Sequence, residues 1–348
     1  MYFDPEPKRR REDFFDMERE VGELERGLRA SKLILVSGLR RYGKTSLILT
    51  TLNEEGVDYV FLDCRLLPSG MLSVSDVFSL LERGLRGKPW FRRLAESIEG
   101  VEVGALGVRF RRRDYNTLVR VLEGLEGRVL VLDEAQELRR FRYRLDSLIA
   151  YLYDHVDVKV IVSGSQVGVM YRFLRLHDPE APLYGRPFHE VRVGPLDRDR
   201  AREFLELGFQ QEGVKPPEDL IEEALNLFDG VIGWLTYFGY SYARLGLRSL
   251  DEILDAAARL AYSELSHALQ VTGVGRPRYA AILRAVAERG TAAWSEVRRY
   301  VEARLGRIPR NTLSYMLKNL VDMGFLEKGP SGYRVADPVL AHAIKKYL

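Results

Sequence analysis

The chain is expected to be an α/β protein: a parallel sheet flanked by helices, followed by an all-α segment and a small helical domain carrying a β-hairpin. Three observations lead there. Short apolar runs suited to buried strands alternate with stretches of helical periodicity. The first run is followed by Gly38-Leu39-Arg40-Arg41-Tyr42-Gly43-Lys44-Thr45, which fits the pattern G-x-x-x-x-G-K-[ST] at every position. A later run, Val129-Leu130-Val131-Leu132-Asp133-Glu134, ends in two adjacent carboxylates.

Taken in order, residues 1–13 read as a polar, partly disordered lead. Its Lys8-Arg9-Arg10-Arg11 is followed by no apolar segment, so a signal peptide is not expected. Residues 14–30 have a helix pattern, with Phe14 and Phe15 ahead of Val21, Leu24 and Leu28. Leu33 to Val36 is a buried-strand run, and after the glycine loop helical spacing continues from Thr45 and Ser46 toward Leu52. Tyr59 to Asp63 is a second strand, and residues 70–86 a helix. The alternation of Val101, Val103, Leu106, Val108 and Phe110 within 100–113 predicts a hairpin carrying Arg109 and Arg111 to Arg113. The strand at 129–132 delivers the carboxylates. Val158 to Val162 leads to Ser163-Gly164-Ser165, and His189 to Val193 completes a core spanning 14–194.

The residue types explain the chemistry. Gly38 and Gly43 let the backbone of residues 38–46 curl into a nest of N–H groups, and the next helix presents its unpaired N-terminal donors there, so phosphate is the expected guest. Lys44 is placed to reach the β- and γ-phosphates, and the Thr45 hydroxyl to ligate Mg²⁺. Asp133, at the end of another strand, would hold the same Mg²⁺ directly or through water. Glu134 would polarise a water for in-line attack on the γ-phosphorus of ATP.

Residues 195–270 are expected to be a helical lid, with Leu220, Ile221, Ala224, Leu225 and Phe228 at helix spacing. Residues 271–348 read as a winged helix. Helices start near Tyr279 and Trp294, and a third buries Leu313, Met316, Leu317 and Leu320. Phe325 to Lys328, a Gly329-Pro330-Ser331-Gly332 turn and Tyr333 to Val335 form the wing. The outer face of the third helix carries Arg310, Asn311, Ser314, Tyr315 and Lys318. In a helix-turn-helix this face would meet duplex DNA, Arg310, Asn311, Ser314 and Lys318 being the candidate contacts. Winged helices also dock proteins, so both partners stand open.

Composition sets limits. With 348 residues, two or three domains are expected. Lys+Arg at 53 against Asp+Glu at 50 leaves only a small positive excess, so global charge does not predict a nucleic-acid partner and any such contact must be local. A single cysteine, Cys64, forbids an internal disulfide and fits a reducing cytoplasm. Scattered histidines offer no metal framework, and no apolar run is long enough to span a membrane. Arginine dominates the basic residues and amides are few, which leans thermophilic.

With these elements placed, the chain resembles the archaeal ATPase family of AAA+-related P-loop proteins, which borders the STAND signalling ATPases. Ser37 to Ser46, Val131-Leu132-Asp133-Glu134-Ala135-Gln136, Ser163-Gly164-Ser165 and Leu183-Tyr184-Gly185-Arg186-Pro187-Phe188 carry the resemblance. Phe15 to Glu20 is similar to the segment that lies against the adenine, with Met17 where an arginine is usual. Gly230 to Leu235 is similar to a glycine-proline segment near the base, with Ile232 in the proline's place. The resemblance implies that Ser165, or failing it Ser163, senses the γ-phosphate, and that Arg186 presents a cation to phosphate, in cis or to a neighbouring subunit. It implies a Mg²⁺-dependent ATPase switch acting on DNA through its winged helix. The alternative is a STAND-like switch that docks protein. Oligomeric state is left open.

Overall fold

A computed structural model of the chain describes residues 1–95, 101–104, 107–270 and 273–348. The chain forms two compact units interleaved in sequence. One comprises Pro7–Gly38 and Lys44–Val193; the other comprises Met1–Glu6, Leu39–Gly43 and Gly194–Leu348.

In chain order the first unit contains α1 (Glu18–Ala30), β1 (Leu33–Ser37), α2 (Lys44–Glu54), β2 (Tyr59–Asp63), α3 (Val74–Gly84), α4 (Pro89–Ala95), β3 (Val101–Gly104), β4 (Gly107–Phe110), α5 (Tyr115–Glu123), β5 (Val129–Asp133), α6 (Leu145–His155), β6 (Lys159–Gly164), α7 (Val167–Leu174) and β7 (His189–Arg192). Five strands make one parallel sheet in the order β2-β5-β6-β1-β7. Every residue of β1 and β5 is buried, as unbroken apolar runs require when helices cover both faces. The expected hairpin is present as β3 and β4, while Gly100 and Leu106 lie outside the described residues. Because the five strands run the same way, their carboxyl ends share one edge, where open α/β sheets bind ligands. With β1 beside β6 and β6 beside β5, the loops leaving these three strands emerge together.

The second unit holds α8 (Arg198–Gln211), α9 (Glu218–Phe228), α10 (Ile232–Ala243) and the long α11 (Leu250–Gln270). A winged helix follows: α12 (Arg276–Arg289), β8 (Thr291–Ala292), α13 (Trp294–Leu305), α14 (Arg310–Asp322), β9 (Leu326–Gly329) and β10 (Gly332–Val335), the strands pairing antiparallel in the order β8-β10-β9. A closing helix, α15 (Pro338–Tyr347), was not anticipated. It packs along α11, where Asp255 accepts hydrogen bonds from Lys346 and Tyr347.

The expectation of a partly disordered lead is corrected. Phe3 is 0% exposed, with its ring edge-on to Phe209 at 4.8 Å and to Phe204 at 5.7 Å between centroids. It lies against Gly208 of α8 and Gly239 of α10, where any Cβ would come within 2.4 Å of the ring. Tyr2 N–H donates to Gln211 Oε1 at 2.8 Å. Further along, within the first unit, Lys8 N–H donates to Ser46 Oγ at 3.0 Å, and Asn53 Nδ2 donates to the Arg9 carbonyl at 2.9 Å. Two adjacent aromatics, Tyr2 and Phe3, at the head of a polar stretch have no periodicity by which to announce the burial of one of them.

Candidate functional site

At the carboxyl end of β1 the chain turns at Gly38, whose φ is 150° and whose missing Cβ would stand 2.3 Å from the Val193 carbonyl oxygen. Only glycine fits there. Lys44 opens α2 and is 5% exposed, and Thr45 follows it in the first helical turn, where unpaired N–H donors and the helix dipole favour an anion. Thr45 Oγ1 donates to Asp133 Oδ2 at 2.9 Å.

Asp133, the last residue of β5, is 0% exposed, and its Oδ1 accepts from the Ser163 hydroxyl on β6. Burial pushes its carboxyl above the ordinary range. The Glu134 charge pushes the same way, while the Ser163 and Thr45 hydrogen bonds and the Arg65 charge pull it back. A buried carboxylate beside a threonine hydroxyl gives two hard oxygen donors side by side. This suits Mg²⁺, which takes one or two protein oxygens and completes its shell with substrate and water. Among the described residues, no group of three or more His, Cys, Asp or Glu side chains could cage a metal instead.

Glu134 heads a 3₁₀ turn in the left-handed conformation, with φ of 50°. Its Oε2 accepts from Ser165 Oγ at 2.8 Å, Ser165 N–H at 3.3 Å and Gln136 Nε2 at 2.5 Å. The two sensor candidates therefore divide between the carboxylates: Ser163 meets Asp133 and Ser165 meets Glu134. Arg65 is the residue that sequence reasoning missed. It lies just past β2, chelated by Asp63 (Nε to Oδ1 at 2.8 Å, Nη2 to Oδ2 at 2.7 Å), and its charge is felt by both Asp133 and Glu134. Asp63 is the register partner of Asp133, so an Asp-x-Arg at the end of a strand was the available signal.

The middle of the glycine loop belongs with the second unit. There the Arg41 carbonyl accepts from Gly233 N–H at 2.9 Å, and the Arg41 guanidinium stacks 3.9 Å from the Trp234 ring centre. Arg41 also grips Glu264 of α11 with both terminal nitrogens, at 2.6 and 3.1 Å, and Arg40 approaches the same carboxylate at 3.1 Å. Tyr42 is buried, and its hydroxyl is pushed up to about 12 by desolvation, aided by the charges of Glu327 and Asp337.

Arg186 is not brought to Asp133 and Glu134. It chelates Asp154 at 3.0 and 2.6 Å, just ahead of β7, and Asp154 sits in the last turn of α6 ahead of β6. Both therefore lie at the amino-terminal edge of the sheet, opposite the carboxylates, which does not favour the cis role among those left open. Met17, at the segment expected to lie against adenine, is buried with φ of 63°. In the winged helix, Arg310, Asn311, Ser314 and Lys318 are all exposed on α14, and Leu313, Met316, Leu317 and Leu320 face inward. Ser314 Oγ accepts from Trp294 Nε1 at 3.1 Å.

Comparison with known proteins gives consistent results. A family described as an ATPase domain predominantly from Archaea matches residues 14–238, and the winged helix-turn-helix domain from the C-terminus of MCM proteins matches residues 274–336. No curated protein matches. Among solved structures, a Walker-type ATPase of Pyrococcus abyssi is 36% identical over 99% of this chain and 100% of its own, with a TM-score of 0.83. The RuvB Holliday junction branch migration motor of Thermotoga maritima is 15% identical, covers 98% of both chains and has a TM-score of 0.47. Cdc6p of Pyrobaculum aerophilum is 15% identical over 94% of this chain and 93% of its own, also at 0.47. A match across most of the chain, with the Thr45, Asp133 and Glu134 groups gathered at one sheet edge, places this protein in the family of P-loop ATPases found predominantly in Archaea.

Proposed function

We propose that the protein binds and hydrolyses ATP with Mg²⁺ and acts as a nucleotide-driven switch on duplex DNA. The observation that carries the ATPase reading is the convergence of Thr45, Asp133, Glu134 and Ser165 on the carboxyl edge of β1, β5 and β6, beside Lys44 at the head of α2. Thr45 and Asp133 would hold Mg²⁺, which when bound supplies positive charge to the β- and γ-phosphate oxygens. Lys44 adds a cation to the same oxygens, and the α2 N-terminus orients them. Glu134 takes a proton from the attacking water as the bond to the leaving ADP breaks, and Ser165 fixes the Glu134 carboxylate. Arg186, paired at the far edge of the sheet, is suited only to reach a neighbouring copy's nucleotide.

The test is a pair of substitutions. Lys44→Ala should abolish tight ATP binding, whereas Glu134→Gln should keep binding and lose turnover, since the amide is nearly isosteric but cannot accept the proton. Equal ATP affinity in Lys44→Ala and wild type would sink the assignment. The exposed cations of α14 support DNA as the winged helix's partner. One observation favours protein docking instead: Tyr315 is 62% exposed amid those residues, while the Ser314 hydroxyl is already engaged by Trp294.

A further inference from the structure

We propose that Trp234, Glu264 and Asp337 are positioning residues for the phosphate loop. They hold Arg41 in a left-handed conformation that readies the loop for phosphate, so the helical and winged-helix unit tunes nucleotide affinity. The inference rests on the loop being the nucleotide site.

Arg41 has φ of 66°, and a residue with a Cβ is disfavoured there by roughly five- to thirtyfold. Such a conformation persists only where the surroundings over-determine it. Here they do. Gly233 N–H pins the Arg41 carbonyl, Trp234 covers one face of the guanidinium, and Glu264 takes its fork in the plane. Burial alone would push the Glu264 carboxyl up, but Arg41 and Arg40 together hold it below the ordinary range, so it stays charged. With its fork engaged by Glu264, the Arg41 side chain serves as a tether.

The path continues past Trp234. This indole is itself buried, and its Nε1–H donates to Asp337 Oδ2 at 2.9 Å. Asp337 caps α15, its Oδ1 accepting from Leu340 N–H at 2.9 Å. Desolvation pushes the carboxyl of the half-buried Asp337 up, and the Leu340 amide, the Trp234 indole, the nearby Arg41 charge and the Val339 amide pull it back. Glu264, Arg41, Trp234 and Asp337 thus form one polar chain from α11 through the loop to the last helix.

A loop that is competent only part of the time shows an apparent affinity reduced by its competent fraction. Loosening the tether should therefore weaken ATP binding by about tenfold. Turnover at saturating ATP should stay within about twofold, because Thr45, Asp133 and Glu134 are held within the other unit.

The experiment titrates a fluorescent ATP analogue into the full chain and measures turnover against ATP, for wild type, Glu264→Gln and Trp234→Phe. The phenylalanine keeps an aromatic face under Arg41 but loses the bond to Asp337. A second background, Arg41→Gly, reads the mechanism directly, since glycine adopts the left-handed conformation without help. In that background Glu264→Gln should no longer weaken binding, a non-additivity that general destabilisation would not produce. Unchanged affinity in Glu264→Gln, or the same loss with Arg41→Gly present, overturns the inference and leaves the ATPase reading intact. Wild-type protein that binds no ATP overturns both.

Discussion

Replacing Phe3 by alanine should destabilise the helical unit far more than its place in a polar lead would suggest. The ring is 0% exposed and makes edge-on contacts with Phe204 and Phe209. Burying a phenylalanine side chain stabilises by about 1.5–3 kcal/mol, and each such aromatic pair adds about 0.5–1.5 kcal/mol. Truncation also leaves a cavity, and Phe→Ala changes of this kind cost about 3–5 kcal/mol in total. For a unit of roughly 150–250 residues, each kcal/mol lowers the midpoint by about 2–4 °C, so the expected fall is about 6–20 °C. Scanning calorimetry of the full chain, with hydrogen exchange of α8 and α10 as the local probe, makes the measurement. The exchange should accelerate in α8 and α10, which line the ring, and not in the sheet strands. A loss below about 1 kcal/mol, with exchange in α8 and α10 unchanged, would refute the anchoring of Phe3 between these helices.

Two further outcomes are expected. If the winged helix grips duplex DNA, neutralising Arg310 or Lys318 where it touches phosphate should lower the slope of log affinity against log salt by about one, in a duplex titration at several salt concentrations; an unchanged slope in the double alanine variant moves the winged helix to protein docking. If Arg186 serves a neighbouring subunit, turnover per subunit should rise with protein concentration, and Arg186→Ala should flatten that rise while ATP affinity holds. A rate that does not depend on concentration in either protein leaves Arg186 as the surface partner of Asp154.

The sheet and the candidate phosphate site were legible because their signals are local and chemically strict. Buried parallel strands must be apolar at every position, and Leu33 to Val36 and Val129 to Leu132 are. The residues of the candidate phosphate site, Gly38 to Thr45, are contiguous. What escaped depends on contacts between distant segments. The Arg65 charge acts on Asp133 and Glu134 only because β2 happens to lie beside β5, which no local pattern states. Arg186 was placed by resemblance, and its position at the amino-terminal edge follows from connectivity that the segment Leu183 to Phe188 does not contain. Arg41 reads as an ordinary loop arginine until Trp234 and Glu264 are seen around it. The closing helix Pro338–Tyr347 was passed over because the wing before it already completed a recognisable domain.

The interleaving of the two units bears on how the protein is made. A chain emerging from the ribosome at about 5–20 residues per second can complete the sheet once Val193 is out. Leu39 to Gly43 must wait longer, because their native neighbours Trp234, Glu264 and Asp337 are synthesised after the sheet. A nascent chain would therefore carry a folded sheet with an unbraced loop while the stretch from Gly194 to Asp337 is made. Products truncated before Trp234 would lack the brace and, on the proposed role of the loop, would bind ATP poorly.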